Sequence, residues 1–324
     1  MRLTNITNFF KFVEIQTKLA SLLPFVIGTL YSIYRFKSFI LNNFIIMGIS
    51  LLAFDMATTA INNYIDYKKD LNSVKKDLEK HESAFDNKIV KYGIKESLAI
   101  AIIFILLIIA TICGIILTIN TNLLVLLIGI VSFLAGVFYT YGPIPISRMP
   151  LGEVFSGIFM GFVILFLSCY VHIFNSNIIL FTYSANIFNI SINLVELFYI
   201  FLISIPTISS IANIMLANNI CDLEEDISNK RYTLPYYLGK ENAFNLFITL
   251  YYVAYLDIII LVFLKVTPQA SLLVILTIIP LNKNIKLFRL RPIKNETFIL
   301  SVKNFALMNL THILAIVMAL TFNW

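Results

Sequence analysis

The sequence predicts an all-α, polytopic membrane protein: a bundle of nine transmembrane helices, in which two pseudo-repeated four-helix halves precede a ninth helix. Three observations carry this. Of 324 residues, 59% are hydrophobic and 13% charged, with a mean hydropathy of +0.87; a soluble domain carries about twice that charged fraction. Apolar runs of the roughly 20 residues needed to cross a bilayer recur along the whole chain. A polar motif of Asn, Asp and Asp at four-residue intervals occurs twice, its members 156 residues apart.

Taken in order, the expected spans are 13–34, 40–66, 95–118, 121–141, 151–173, 195–221, 241–264, 268–288 and 298–322. Arg2, Lys11 and Lys18 open the first run without a small-residue cleavage site, so it reads as a retained helix rather than a signal peptide. The second run ends in INNYIDYKKD, residues 61–70, and a charged stretch over 67–94 follows as a solvated loop. Only INT divides the third run from the fourth. The uncharged stretch 174–194 is expected at the membrane interface, and the sixth run ends in ANNICDLEED. The chain therefore reads as a single integral membrane domain, 1–324, with a first aspartate motif at 62–70 and a second at 218–231.

Nine crossings place the termini on opposite sides. With the N-terminus in the cytoplasm, 21 of the 24 basic residues fall inside, and Arg35, Lys37 and Lys265 remain outside. That is the bias of cytoplasmic loops. It also accounts for the net charge of +6 without a nucleic-acid partner. The abundance of Ile, Asn and Lys points to an AT-rich bacterial genome, hence a bacterial plasma membrane. Cys113, Cys169 and Cys221 lie far apart in apolar surroundings, as packing residues without a disulfide. His81, His172 and His312 are scattered and are not expected to bind metal.

The repeated motif carries the chemistry. On a helix, Asn62, Asp66 and Asp70 stack on one face over roughly 12 Å. Carboxylates so placed repel one another unless a cation lies between them. Asn218, Asp222 and Asp226 repeat the pattern. Acids facing water at a helix end explain one copy; two matched copies on the same expected side read as a site. A carboxylate at membrane depth costs about 2.5–3.5 kcal/mol on insertion scales and usually marks function. Oxygen donors of this kind suit Mg²⁺, which takes one or two carboxylates and completes its shell with water and phosphate. Lys230 and Arg231 follow the second motif and can hold phosphate oxygens, or serve as ordinary cytoplasmic anchors. Four aspartates, a divalent metal and two bases suit a diphosphate and its departure. A cation transporter is the competing class. Against it, the acids gather at one face rather than the midplane, and no Gly/Pro-broken span recurs in the two halves.

NNYIDYKKD and NNICDLEEDISNKRYTLPYYLGKENA resemble the two aspartate motifs of the UbiA superfamily of intramembrane aromatic prenyltransferases. VEIQTKLASLLPFVIGTLY and FYTYGPIPISRMPLGEVFSGIFMGF agree, and the likeness is greatest to the 1,4-dihydroxy-2-naphthoate branch of menaquinone biosynthesis. Many members have Asn-Asp where this chain has Asn62-Asn63, which removes one carboxylate. The resemblance implies Mg²⁺, as two ions, on Asp66, Asp70, Asp222 and Asp226. It implies supporting roles for Asn62 and Asn218, and diphosphate contacts from Lys230 and Arg231. It further implies a polyprenyl diphosphate donor, an aromatic acceptor that loses CO₂, and the lipid bilayer as surroundings. Tyr139 and Tyr141 can shield the allylic cation or sit as interface aromatics. Arg148 can meet the acceptor carboxylate or anchor its loop, and Gln16 and Lys18 resemble a family position near the site. Other acceptors in the superfamily (4-hydroxybenzoate, haem, a chlorophyllide) are the alternative within the same chemistry.

Overall fold

The computed structural model describes residues 2–74, 88–140, 146–184 and 186–322, with side chains for all of these except 2–5, 69–74, 140 and 184. The helices, in chain order, are α1 (Arg2–Phe12), α2 (Ile15–Phe36), α3 (Leu41–Val74), α4 (Lys88–Lys91), α5 (Glu96–Asn120), α6 (Leu123–Thr140) and α7 (Gly152–Ile173). They continue as α8 (Leu194–Cys221), α9 (Leu223–Ser228), α10 (Leu234–Leu238), α11 (Lys240–Phe263), α12 (Gln269–Leu290) and α13 (Ile299–Phe322). Among the described residues, eight helices are long and apolar enough to cross a membrane, and Leu123–Tyr139 is a shorter ninth. The chain is a multi-pass membrane protein. Large apolar side chains left exposed on α5, such as Phe104, Ile108 and Ile112, fit contact with lipid rather than water.

One expectation needs correction. The span expected at 40–66 is there, as Leu41–Lys68, but the loop expected from 67 begins later: α3 runs on through Asp70 to Val74, because neither Gly nor Pro interrupts it. The uncharged stretch after α7 holds a strand pair. β1 (Ile179–Ser184) and β2 (Ile187–Ile192) pair antiparallel, Ile179 opposite Ile192 and Tyr183 opposite Phe188, with Phe181 stacked across on Phe188 at 6.0 Å. Aromatic and β-branched residues favour strands, and pairing satisfies backbone groups beside a membrane.

The chain divides into two compact units, Met1–Ser21 with Ile45–Leu126, and Leu22–Phe44 with Leu127–Trp324. In the first, Phe12 and Val13 pack with Ala53, Ala57 and Ala60 of α3 and with Ile103, Leu106 and Ala110 of α5. The small alanines let helices approach closely. In the second, Leu216 of α8, Phe247, Tyr251 and Ile258 of α11, Leu281 and Phe288 of α12 and Met308 of α13 form the core. Here α7 crosses α8 so tightly that a Cβ on Gly161 would lie 2.7 Å from the backbone of Ile208. The Thr207 hydroxyl donates to the Gly161 carbonyl at 3.2 Å across the same crossing. α7 winds as a π-helix over Gly157–Val163, the stretch that makes this contact.

Candidate active site

The first motif lies on an unbroken helix. Asn62 is half-buried and Asp66 exposed; Asp70 continues the same face, its side chain outside the described set. Asn63 uses its amide as a donor to the Phe12 carbonyl at 2.8 Å and to Glu14 Oε1 at 3.2 Å. A carboxylate could supply neither bond. Lys88 also pairs with Glu14. Earlier on α3, Asp55 and Thr59 receive Lys18 of α2, which is buried and donates to Asp55 Oδ1 at 2.7 Å, to the Asp55 carbonyl at 3.0 Å and to Thr59 Oγ1 at 2.6 Å. Ser21 donates to the other Asp55 oxygen at 2.6 Å. Asp55, Thr59, Asn62 and Asp66 recur at helical spacing, so Lys18 meets the same stripe roughly 16 Å of helix axis from Asp66. Gln16 is exposed.

The second motif is built differently. α8 stops at Cys221, Asp222 stands at φ −94°, ψ 6°, and α9 restarts at Leu223. The second motif therefore runs across a helix junction, where the first lies within one helix. Backbone bonds still bridge the break: Asp222 N donates to Asn218 O at 3.0 Å and Asp226 N to Asp222 O at 2.7 Å. Both carboxylates are buried, 9% exposed at Asp222 and 3% at Asp226. Asn218 donates to Asp222 Oδ2 at 3.3 Å, and Lys294, between α12 and α13, pairs with that same oxygen. Asp226 pairs with Arg231 at 3.3 Å and accepts from the Thr233 hydroxyl at 3.3 Å. Burial raises the Asp226 carboxyl above its ordinary value, Arg231 pulls it back, and the neighbouring Asp222 raises it again. Lys230 is exposed, at φ 54°.

The segment before α7 is fastened to this motif. Arg231 donates to the Ser147 carbonyl at 3.3 Å, and Tyr232 N to the Arg148 carbonyl at 3.3 Å. Asn219 donates to Glu153 Oε1 at 2.8 Å, both residues being buried. The Arg148 side chain is exposed, and the half-buried Tyr139 turns its hydroxyl to Met215 Sδ at 3.6 Å. Tyr141 lies outside the described residues, as do 75–87 of the charged loop, His81 included. Sequence reasoning missed Glu14, Asn63, Glu153, Asn219 and Lys294. Asn63 and Asn219 had a signal: they are 156 residues apart, like the motifs themselves, and each donates to a Glu at the start of an apolar helix. Among the described residues no three His, Cys, Asp or Glu side chains converge; the second motif offers a pair of carboxylates.

A cleft of about 650 Å³ is apolar, lined by Leu127, Phe159, Phe162, Phe198 and Phe201 among others. It lies roughly 30 Å along α8 from Asp222, and no charged residue lines it.

Apolar helices carrying twin Asn–Asp–Asp motifs, the second furnished with its own bases, define an integral membrane enzyme of the intramembrane prenyltransferase class. The chain belongs to the UbiA prenyltransferase family, whose model matches residues 21–310. It is 31% identical over 247 residues to the 1,4-dihydroxy-2-naphthoate octaprenyltransferase of Bacillus subtilis (strain 168), covering 76% of this chain and 71% of that one. The fold resembles the apo UbiA homologue from Aeropyrum pernix K1 at a TM-score of 0.66 and 20% identity, over 93% of this chain and 98% of that one. It also resembles the Archaeoglobus fulgidus homologue bound to DMAPP and Mg²⁺, at a TM-score of 0.59 and 13% identity, over 96% and 99% of the two chains.

Proposed function

We propose that this enzyme transfers a polyprenyl group from polyprenyl diphosphate to 1,4-dihydroxy-2-naphthoate, releasing diphosphate and CO₂ and yielding demethylmenaquinol. The observation that carries the acceptor is the 31% identity to a 1,4-dihydroxy-2-naphthoate octaprenyltransferase over most of both chains.

The residues fit Mg²⁺. Asp66, Asp70, Asp222 and Asp226 would hold it, as two ions, with hard oxygen donors and no sulfur or imidazole in the set. When bound, Mg²⁺ neutralises the diphosphate and stabilises its departure. The protein's own part is electrostatic positioning. Asn218 steadies the Asp222 carboxylate through a hydrogen bond from its side-chain amide, and Asn62 would serve its counterpart in the first motif. Arg231, held by Asp226 and the Ser147 carbonyl, keeps guanidinium N–H groups for phosphate oxygens, and Lys230 adds an exposed ammonium beside it. Tyr139 and Tyr141 would shield the allylic cation with their rings. Arg148 would meet the acceptor carboxylate, and Gln16 and Lys18 resemble a family position near the site.

The chain acts as one domain over 1–324 in a bacterial plasma membrane, N-terminus and both motifs cytoplasmic; the 21-to-3 split of basic residues supports that orientation. A reporter fused after Trp324 should then be active only outside the cytoplasm. Membranes holding the enzyme, given labelled polyprenyl diphosphate and 1,4-dihydroxy-2-naphthoate, should release one CO₂ per prenylated product. Transfer to 4-hydroxybenzoate, haem or a chlorophyllide, with none to the naphthoate, would move the enzyme to another acceptor within its family.

A further inference from the structure

Residues 291–298 join α12 to α13 in a turn that braces itself. The Ile293 amide donates to Thr297 Oγ1 at 3.0 Å, and that hydroxyl donates to the Arg291 carbonyl at 2.5 Å. The amides of Thr297 and Phe298 both donate to the Ile293 carbonyl, at 2.8 and 3.3 Å, and Arg291 pairs with Glu296 at 3.3 Å. The turn carries the Lys294 ammonium onto Asp222 Oδ2, 72 residues away in sequence. The lysine side chain is 52% exposed and the carboxylate 10%, so the cation covers the acid from its water side.

Each buried aspartate of the second motif thus has its own base, held in a different way. Arg231, on Asp226, is also tied to the Ser147 carbonyl. For Lys294 the bond to Asp222 is its one described hydrogen bond, at the end of a flexible four-carbon stem. A carboxylate oxygen that holds an ammonium is blocked to a divalent cation, and two cations at one oxygen repel each other.

We propose that Lys294 is the counter-ion of Asp222 in the substrate-free enzyme and a diphosphate-binding residue in the loaded one. It neutralises the buried carboxylate until a metal-bound diphosphate arrives, then transfers its ammonium to the phosphate oxygens. This rests on the reading of the second motif as a metal–diphosphate site.

The test uses purified full-length enzyme with Lys294→Met and Lys294→Arg, and two readouts besides turnover. One is Mn²⁺ binding without donor, followed by electron paramagnetic resonance; the other is binding of inorganic diphosphate in the presence of Mg²⁺. Lys294→Met should bind donor-free Mn²⁺ several-fold more tightly, because the competing cation is gone. It should bind diphosphate about tenfold more weakly, with a matching rise in KM for the polyprenyl donor. Lys294→Arg should stay near the wild type in both. Unchanged constants in Lys294→Met, or weaker Mn²⁺ binding without donor, would overturn the proposal. Wild-type enzyme that binds neither Mn²⁺ nor diphosphate would overturn the metal–diphosphate reading itself.

Discussion

The two aspartate motifs share a spacing and differ in almost everything else. The first sits on an uninterrupted helix with Asp66 exposed; the second straddles a helix break with Asp222 and Asp226 buried under Lys294 and Arg231. A buried carboxylate needs a partner to offset its lost hydration, and an exposed one does not. The comparison teaches that equal spacing sets which residues belong together, while burial sets how much a carboxylate among them would cost if left uncompensated. What the copies do share beyond spacing is a clamp: Asn63 on Glu14, and Asn219 on Glu153, each fixing a motif helix to the beginning of another apolar helix.

The comparison breaks first if only one copy serves the metal. Chelation by EDTA should remove transfer altogether and added Mg²⁺ should restore it, because carboxylates alone repel a diphosphate. Partial activity that persists in EDTA would mean that one motif works without an ion.

The clamps should separate the copies by burial. Asn219→Asp loses its donor and sets a second carboxylate against Glu153 where both are buried, so it should destabilise the detergent-solubilised protein by about 1–3 kcal/mol. Asn63→Asp makes the same change in a half-buried place and should cost about 1 kcal/mol. Thermal unfolding of the two variants measures both, and the reverse order would contradict the role given to burial. The smallest effect should come from Asp77→Asn, in the charged stretch of sequence beyond the first motif; initial rates of prenyl transfer should be close to wild type.

How far the sequence could be read follows from the same physics. Span positions were legible because a bilayer demands about 20 apolar residues whatever the tertiary packing. The extension of α3 to Val74 was not, since polar residues that continue a helix look like the loop they precede. The strand pair at 179–192 was hidden in an uncharged stretch whose alternation competes with apolar runs on either side. Asn62, Asp66, Asp222 and Asp226 announced themselves by repetition. Lys294 could not, because among the chain's many lysines only the fold selects the one that reaches Asp222. Asn63 read as a missing carboxylate and is instead a hydrogen-bond donor that an acid cannot replace.

The most direct test of the account is prenyl transfer by Asp66→Asn and by Asp222→Asn, each keeping side-chain size while removing the charge that a metal needs. Both variants should insert and extract normally. Both should lose transfer by more than the roughly 100-fold that removing a supporting partner of a metal ligand causes, although one aspartate is exposed and the other buried. Near-normal, EDTA-resistant transfer by both variants would show that the paired motifs are not the catalytic site.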